Sequence, residues 1–370
     1  MRQSRYTLRG DAAFDKMLDG YLSAIAETVK TSGFARSIAA IVLGGGYGRG
    51  EGGVMIGPDG EKKLYNDLDF FVITENVSLG ERGRIDRFLS DTGQKFSSEI
   101  GIEVDFGRAK TLKQLSRMPL TMMWQELKEG HRVVYGDKDV MRYLPDFELN
   151  DLPRMEGLQL LLNRGAGMLL AKRLLEENAD SPKDLDFIGR NLYKAALACG
   201  DVFLLVQKQY CLSLPERLAR LKEHGGKKAD PHDVDLYEKA AEFKLSPRIF
   251  TMPELLELQN SVMALYEKNC RYFFSICYGV ALNNLQEMDN AFDEKDPFNK
   301  DRRPATTVKN FLFNFIFMRR FGWRYMFSGK NPRLGLLRVL LGLLFEHCRS
   351  GKYNKHVQEK QFFICWNKIS

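Results

Sequence analysis

The chain has little that would anchor it outside the cytosol or across a membrane. Its six cysteines, Cys199, Cys211, Cys270, Cys277, Cys348 and Cys365, form no CxxC pair and have no histidine companion at zinc-ligand spacing. That argues against a disulfide framework or a zinc module and for reduced, mostly buried thiols in a cytoplasmic protein. No segment reaches the ~18 apolar residues that a membrane-spanning helix needs. The opening residues, MRQSRYTLRGD, lack the apolar run of a secretory signal. Internal repeats and low-complexity tracts are also missing. No Lys-Ser or Lys-Thr follows the glycine-rich segment at 42–53, which excludes a P-loop.

What is present is an ordinary globular composition, 44% hydrophobic and 28% charged over 370 residues, enough for two domains. The net charge of +7 is unevenly spread. Residues 301–370 hold fourteen Lys and Arg against Asp301, Glu346 and Glu359, a local charge of +11, so the first 300 residues carry −4. The basic character belongs to the C-terminal segment.

Periodicity divides the chain. Phe14, Met17, Leu18, Tyr21, Leu22, Ile25 and Val29 recur at three- and four-residue steps and predict an amphipathic helix over 11–32. SIAAIVL (37–43) reads as a short buried strand, NDLDFFVIT (66–74) as a second strand, and 81–99 as a helix. IGIEVDFGR (100–108) alternates apolar and acidic residues and predicts a third strand. ELKEGHRVVYGD (126–137) predicts a helix ending at Gly130 and then a strand. Beyond DLPRM the patterns at 158–175, 187–209, 215–224, 236–243 and 253–284 are helical. MDNAFDEKDPFNKDRRPATT (288–307) reads as a polar linker. The expected fold is α/β (α+β) with a short mixed sheet over 1–148, then an all-helical domain over 149–290. A linker over 291–307 leads to a basic, aromatic helical tail over 308–370.

The chemistry is concentrated in the first domain. VLGGGYGRGEGG (42–53) has seven glycines in twelve residues, a backbone bare enough for N–H groups to approach phosphate oxygens. Asp67 and Asp69 sit two apart on a predicted strand and therefore share one face, while Leu68, Phe70 and Val72 take the other. Adjacent carboxylates repel unless a cation lies between them, and hard divalent cations prefer oxygen ligands together with substrate phosphates. Glu103 and Asp105 repeat the acidic alternation on the next strand. A dinucleotide-binding reading of the glycines requires a helix opening at once and an acid placed for a ribose; a DxD pair on a strand suits a metal better.

GGYGRGE (45–51), NDLDFFVI (66–73) and VDF (104–106) together resemble the signature of the DNA polymerase β-like nucleotidyltransferase superfamily. The glycine element is most similar to that of the bacterial uridylyltransferases that modify the nitrogen regulatory protein. ELKEGHRVVYGD is similar to the segment that closes many minimal nucleotidyltransferase domains. The resemblance covers roughly residues 12–137. It implies that Gly45 and Gly46 hold nucleotide phosphates, Gly46 standing where many members have serine. Arg49 matches an arginine near the phosphates, with a structural place against the sheet as the other reading. Asp67 and Asp69 match the metal-binding pair. Asp105 matches the third carboxylate, which completes the metal site and helps to deprotonate the attacking hydroxyl, with Glu103 as runner-up. Two Mg²⁺ ions, or Mn²⁺, are implied, with a nucleoside triphosphate such as ATP as donor. One departure is the spacing from Gly46 to Asp67, 21 positions, where GVMIGPDGEKKL (53–64) looks like an inserted hairpin around Pro58-Asp59-Gly60.

The implied activity is transfer of a nucleoside monophosphate to a hydroxyl of a small molecule, sugar- or lipid-linked acceptors included, with release of pyrophosphate. Protein nucleotidylylation, a nucleic-acid end-modifying or binding role, and a catalytically dead nucleotide-binding module are the alternatives. In FIGRNLYKAALACGD (187–201), Arg190, Lys194 and Asp201 fall at turn spacing on a helix; Lys194 is a candidate for the triphosphate, with a solvated face as the other reading. Arg164 is a weaker candidate of the same kind. RLARLKEH (217–224) has an Arg…His spacing of the sort that arises by chance. In the tail, NFLFNFIFMRRFGWRYMF (310–327) interleaves aromatics with Arg319, Arg320 and Arg324, and LGLLRVLLGLLFEHC (334–348) is apolar nearly all round. Three readings stay open there: packing in the helical domain, peripheral membrane contact, or nucleic-acid contact.

Overall fold

The computed structural model describes residues 4–57, 59–228, 231–298, 304–345 and 355–369. They form two compact units. The first runs to Leu152 and takes in Cys211–Glu216 and Ala241–Arg248; the second holds Pro153–Tyr210, Arg217–Ala240 and the residues from Ile249 on.

The first unit is mixed α/β. Helix α1 (Ala12–Lys30) starts where the Asp11 carboxylate accepts from the Ala13 and Phe14 amides, and it buries Phe14, Leu18, Leu22, Ile25 and Val29. The chain continues through β1 (Ile38–Leu43), the short helix α2 (Gly45–Arg49), β2 (Val54–Ile56), β3 (Lys62–Leu64) and β4 (Leu68–Thr74). Then come α3 (Leu79–Ile100), β5 (Val104–Phe106), β6 (Lys110–Thr111), α4 (Leu112–Leu115), α5 (Met122–Glu129) and β7 (Arg132–Gly136). The sheet order is β5-β4-β1-β7, with β6 also paired to β4. β1 is antiparallel to both β4 and β7, whereas β4 and β5 are parallel. β2 and β3 form a separate two-stranded hairpin within the stretch expected to be an insert; Pro58 lies outside the described residues.

Each face of the sheet has its own core. Ile41, Leu43, Leu68, Phe70 and Val72 pack with the buried stripe of α1 and with Ile85 and Leu89 of α3. Ala40, Val42 and Ile73 pack with Trp124 and Leu127 of α5 and with Val140 and Met141. The strand at 100–108 is shorter than its alternation predicts. Helix α3 runs on to Ile100 and ends at Gly101 in the left-handed conformation (φ +83°), so only three residues reach the sheet.

The second unit is helical and draws on α6 (Arg154–Glu176), α7 (Pro182–Val206), α8 (Leu214–Lys228), α9 (Pro231–Leu245), α10 (Met252–Tyr278), α11 (Leu285–Glu294), α12 (Pro304–Ile316), α13 (Trp323–Met326), α14 (Pro332–Phe345) and α15 (Lys355–Trp366). Helix α7 packs on α6 and α10. The buried Tyr266 hydroxyl donates to the Leu161 carbonyl at 2.7 Å, and Asn269 donates to the Cys199 carbonyl at 2.8 Å. The five described cysteines are free and buried; Cys348 lies outside the described residues.

The C-terminal segment differs from its sequence reading in one place. The stretch expected to open a linker is helix α11 as far as Glu294. Asn284 caps it by accepting from the Glu287 amide, and Leu285, Met288, Ala291 and Phe292 are buried. Its polar residues are the outer face of an amphipathic helix, which masked the period; 299–303 lie outside the described residues. Helix α14 buries ten of its residues and packs on α6 within the second unit. A buried ion pair helps tie α14 to α11: the Arg338 guanidinium bridges Asp289 (2.5 and 2.6 Å) and Asp293 (2.7 Å). Arg338→Met should lower stability by about 2–3 kcal/mol in urea denaturation, the range for lost hydrogen bonds to charged groups. The two carboxylates, about a third exposed, can rehydrate and keep the loss from being larger.

Candidate functional site

The site is built where β1 gives way to glycine. At the end of β1, Leu43 pairs with Phe70, and the next amide, Gly44, donates to the Asp69 carbonyl at 2.9 Å. The chain then turns sharply into α2. Gly45 adopts φ +61°, and a Cβ there would overlap Oδ2 of Asp69. The bare backbone of the turn therefore lies directly against the Asp69 carboxylate.

Most of the other glycines lie against a neighbour inside the fold. Tyr47 is almost fully buried, and a Cβ on Gly52 would fall inside its ring. The Tyr47 hydroxyl donates to the Gly53 carbonyl at 2.7 Å and accepts from the amides of Tyr65 (2.9 Å) and Asn66 (3.4 Å). Asn66 closes the junction by accepting from the Gly53 amide at 2.6 Å. The glycine segment and the two residues before Asp67 are thus locked together although the β2–β3 hairpin separates them in sequence. Burial pushes the Tyr47 phenol up to about 12, with the Asp67 charge adding to the effect and the two amide donors opposing it.

Arg49 and Glu51 are also held inside the unit. Arg49 packs on Gly130 and donates to Glu126 at 2.8 Å. The buried Glu51 carboxylate accepts from the Leu214 amide at 2.7 Å, with Arg49 and Lys244 each 4.0 Å from its other oxygen.

The acids come together through strand register. β4 and β5 run parallel with Asp69 opposite Asp105, and the Leu68 amide donates to the Glu103 carbonyl at 2.9 Å. Neighbouring strands lie about 4.8 Å apart, so the Asp69 and Asp105 side chains leave the sheet side by side. Asp67, just ahead of β4, shares the parity of Asp69. Continuing the register one step sets Glu103 beside Asp67. Further along the same face of β4, Phe71 and Ile73 are covered by Trp124 and Leu127. The acids lie at the start of the strand: Asp67 and Asp69 are half-buried, and Glu103 and Asp105 are exposed.

This donor set is all oxygen and drawn from two strands, which is the chemistry a hard divalent cation prefers. Among the described residues no three His, Cys, Asp or Glu side chains are already gathered around one ion-sized point. The fit rests on the shared face and on the donor type. Lys194 belongs to the second unit, where it is half-buried on α7, while Gly45, Gly46, Asp67, Asp69 and Asp105 all belong to the first. On the same helix Asp201 is taken up internally by Arg217 (2.8 Å) and Tyr237 (2.9 Å), and Arg190 lies 3.9 Å from Asp186. Arg217 is therefore a buried structural partner, and the side chain of His224 lies outside the described residues. Sequence reading passed over Tyr47 and Asn66. The sole hint was a large aromatic flanked by glycines on both sides.

Compared with protein-family models, with curated proteins and with solved structures, the chain matches none.

Tyr47→Phe leaves the Tyr65 amide and the Gly53 carbonyl without their shared partner and should cost about 1–3 kcal/mol at pH 7. The pH dependence carries a further signature. Above pH 10 the unfolded chain begins to lose the phenol proton, which the folded chain keeps until about 12. The unfolded state then binds fewer protons, so this residue's contribution to stability falls as pH rises through that window, by about 2–3 kcal/mol in all. Urea denaturation of wild type and Tyr47→Phe should give a stability difference that shrinks between pH 10 and 12; parallel curves would show the hydroxyl is not held as described.

Proposed function

We propose that the first unit is a metal-dependent nucleotidyltransferase that moves a nucleoside monophosphate from a nucleoside triphosphate to a hydroxyl of a small molecule. The observation that carries this reading is the parallel register of Asp69 with Asp105 directly beside the bare Gly44–Gly45 turn. A carboxylate pair alone is a solvated strand, and a glycine turn alone is a packing device. Side by side, they match the needs of a triphosphate: backbone amides of the turn for phosphate oxygens and carboxylates to hold its counter-cations.

In this reading Asp67 and Asp69 would hold the cations, with Asp105 as the third carboxylate. Mg²⁺ or Mn²⁺, when bound, would supply charge neutralisation along the triphosphate and make the acceptor hydroxyl easier to deprotonate. The exposed Asp105 is the group that takes the acceptor proton, since it is open to an incoming molecule. A bond forms from the acceptor oxygen to the α-phosphorus, the α–β anhydride bond breaks, and pyrophosphate leaves. Gly45 and Gly46 would meet the phosphates through their backbone amides. The Tyr47 junction contributes by keeping the glycine turn and Asp67 in fixed relation, which is positioning and not chemistry.

The test starts with a thermal-shift screen of the four nucleoside triphosphates with Mg²⁺, followed by transfer from the preferred α-labelled nucleotide into acceptor pools. Asp67→Asn, Asp69→Asn and Asp105→Asn should each lower transfer by at least about 100-fold, the scale on which lost transition-state charge stabilisation is felt. Undiminished transfer in Asp69→Asn would sink the assignment. Label retained on protein or on nucleic acid would instead redirect the acceptor class. Gly45→Ala, whose methyl overlaps Asp69, should also depress transfer, and wild-type stability within about 2 kcal/mol would separate this from unfolding.

A further inference from the structure

Helix α12 is turned the opposite way from a normal surface helix. Its buried residues are polar: Asn310 and Asn314. Asn314 donates to the Ser328 carbonyl at 2.8 Å and to the Lys330 carbonyl at 2.9 Å, and Asn310 donates to the Gly329 carbonyl at 3.4 Å. The 328–330 loop is itself fixed, because the Lys330 ammonium donates to the carbonyls of Phe292 (2.7 Å) and Asp293 (2.6 Å). These bonds set the rotation of the helix. They leave Val308, Phe311, Leu312, Phe315 and Ile316, one continuous stripe at three- and four-residue steps, facing outward and exposed. The Phe311 and Phe315 rings stack at 6.2 Å, so the stripe is already organised.

The neighbouring turn adds to the same region. α12 packs against the segment from Met318 to Phe321 and against α13, where Trp323 is 79% exposed and Phe327 61% exposed. Lys309 and Arg319 are exposed among them. Arg324 pairs with Asp293 at 2.9 Å and still keeps 57% of its side chain accessible. An exposed apolar patch of this extent, bordered by cations and a tryptophan, calls for a partner.

We propose that this surface docks the second unit onto an anionic lipid bilayer, independently of the nucleotidyltransferase reading. Charge complementarity selects the partner. The cations lie around the apolar stripe, where lipid headgroups would meet them while the stripe enters the acyl boundary and Trp323 sits at the interface. Nucleic acid would match the cations, but Val308, Leu312 and Ile316 offer it no stacking face. No described helix is long and apolar enough to cross a membrane, so the contact is peripheral.

The test uses flotation of the full chain with phosphatidylcholine vesicles, with and without about 30 mol % phosphatidylglycerol, in about 0.1 M and about 0.5 M NaCl. The protein should float with the anionic vesicles at least about tenfold better than with the neutral ones, and high salt should weaken this. Leu312→Glu with Phe315→Glu should abolish flotation by about the same factor, with the thermal unfolding midpoint retained. Leu256→Glu, at an exposed apolar site on α10, should leave flotation intact. Trp323→Ser should remove a blue shift of emission seen on vesicle addition. Failure to float with either vesicle overturns the proposal, as does flotation untouched by the double substitution. Binding of an oligonucleotide but not of vesicles assigns the surface to nucleic acid. A dimer in solution that the double substitution splits, without vesicle binding, assigns it to a second copy of the chain.

Discussion

The Tyr47 hydroxyl donates to Gly53 and accepts from Tyr65 and Asn66, and this junction joins the two segments on which the candidate site depends. One segment is the turn that leaves β1, the other the approach to β4. Between them lies the β2–β3 hairpin, long enough in sequence to have decoupled them. A buried phenol cannot be left unpaired without cost, and here its three bonds can be made only with both segments in place. The bareness of Gly52 follows from the ring that lies against it. The glycine segment thus serves two ends: part of it accommodates an aromatic anchor, and the part nearest β1 accommodates a carboxylate.

The carboxylates are then arranged by strand pairing. Parallel pairing of β4 with β5 in the register that sets Leu68 against Val104 also sets Asp69 against Asp105. The apolar residues of β4 hold this register: a slip by one residue would turn Leu68, Phe70 and Val72 out of their core and the acids into it. The hydrophobic face therefore specifies the acidic one. Side-by-side carboxylates at the rim of a sheet repel one another, and the proposed cation would offset that repulsion.

The second unit shows the converse arrangement. Asn310 and Asn314 are buried by hydrogen bonds to loop carbonyls, and an apolar stripe is left outside. Fold stability by itself would favour the opposite rotation, with the phenylalanines inside. The bonds to 328–330 oppose that, because they satisfy the amides of the buried asparagines and would be lost on rotation. In α14 and α11 the apolar residues are the buried ones, and the buried Arg338 lies between two aspartates.

Much of this was legible from residue order. The periodicity of α1, the strand that leads into the glycines, the alternation through Asp67 and Asp69, and the helical character beyond Pro153 are local patterns, and local geometry follows from them. The positive charge of the C-terminal segment is likewise a property of sequence alone. Tertiary structure decided what depends on partners distant in the chain. It set which glycines face a ring and which a carboxylate, engaged Arg49 with Glu126, and made a helix of the polar stretch read as a linker. It also turned α12 with its asparagines inward. Each outcome is a choice among hydrogen-bonding or packing partners, most of them beyond the reach of a local pattern, and a pattern read along the chain does not say which of them will be reached.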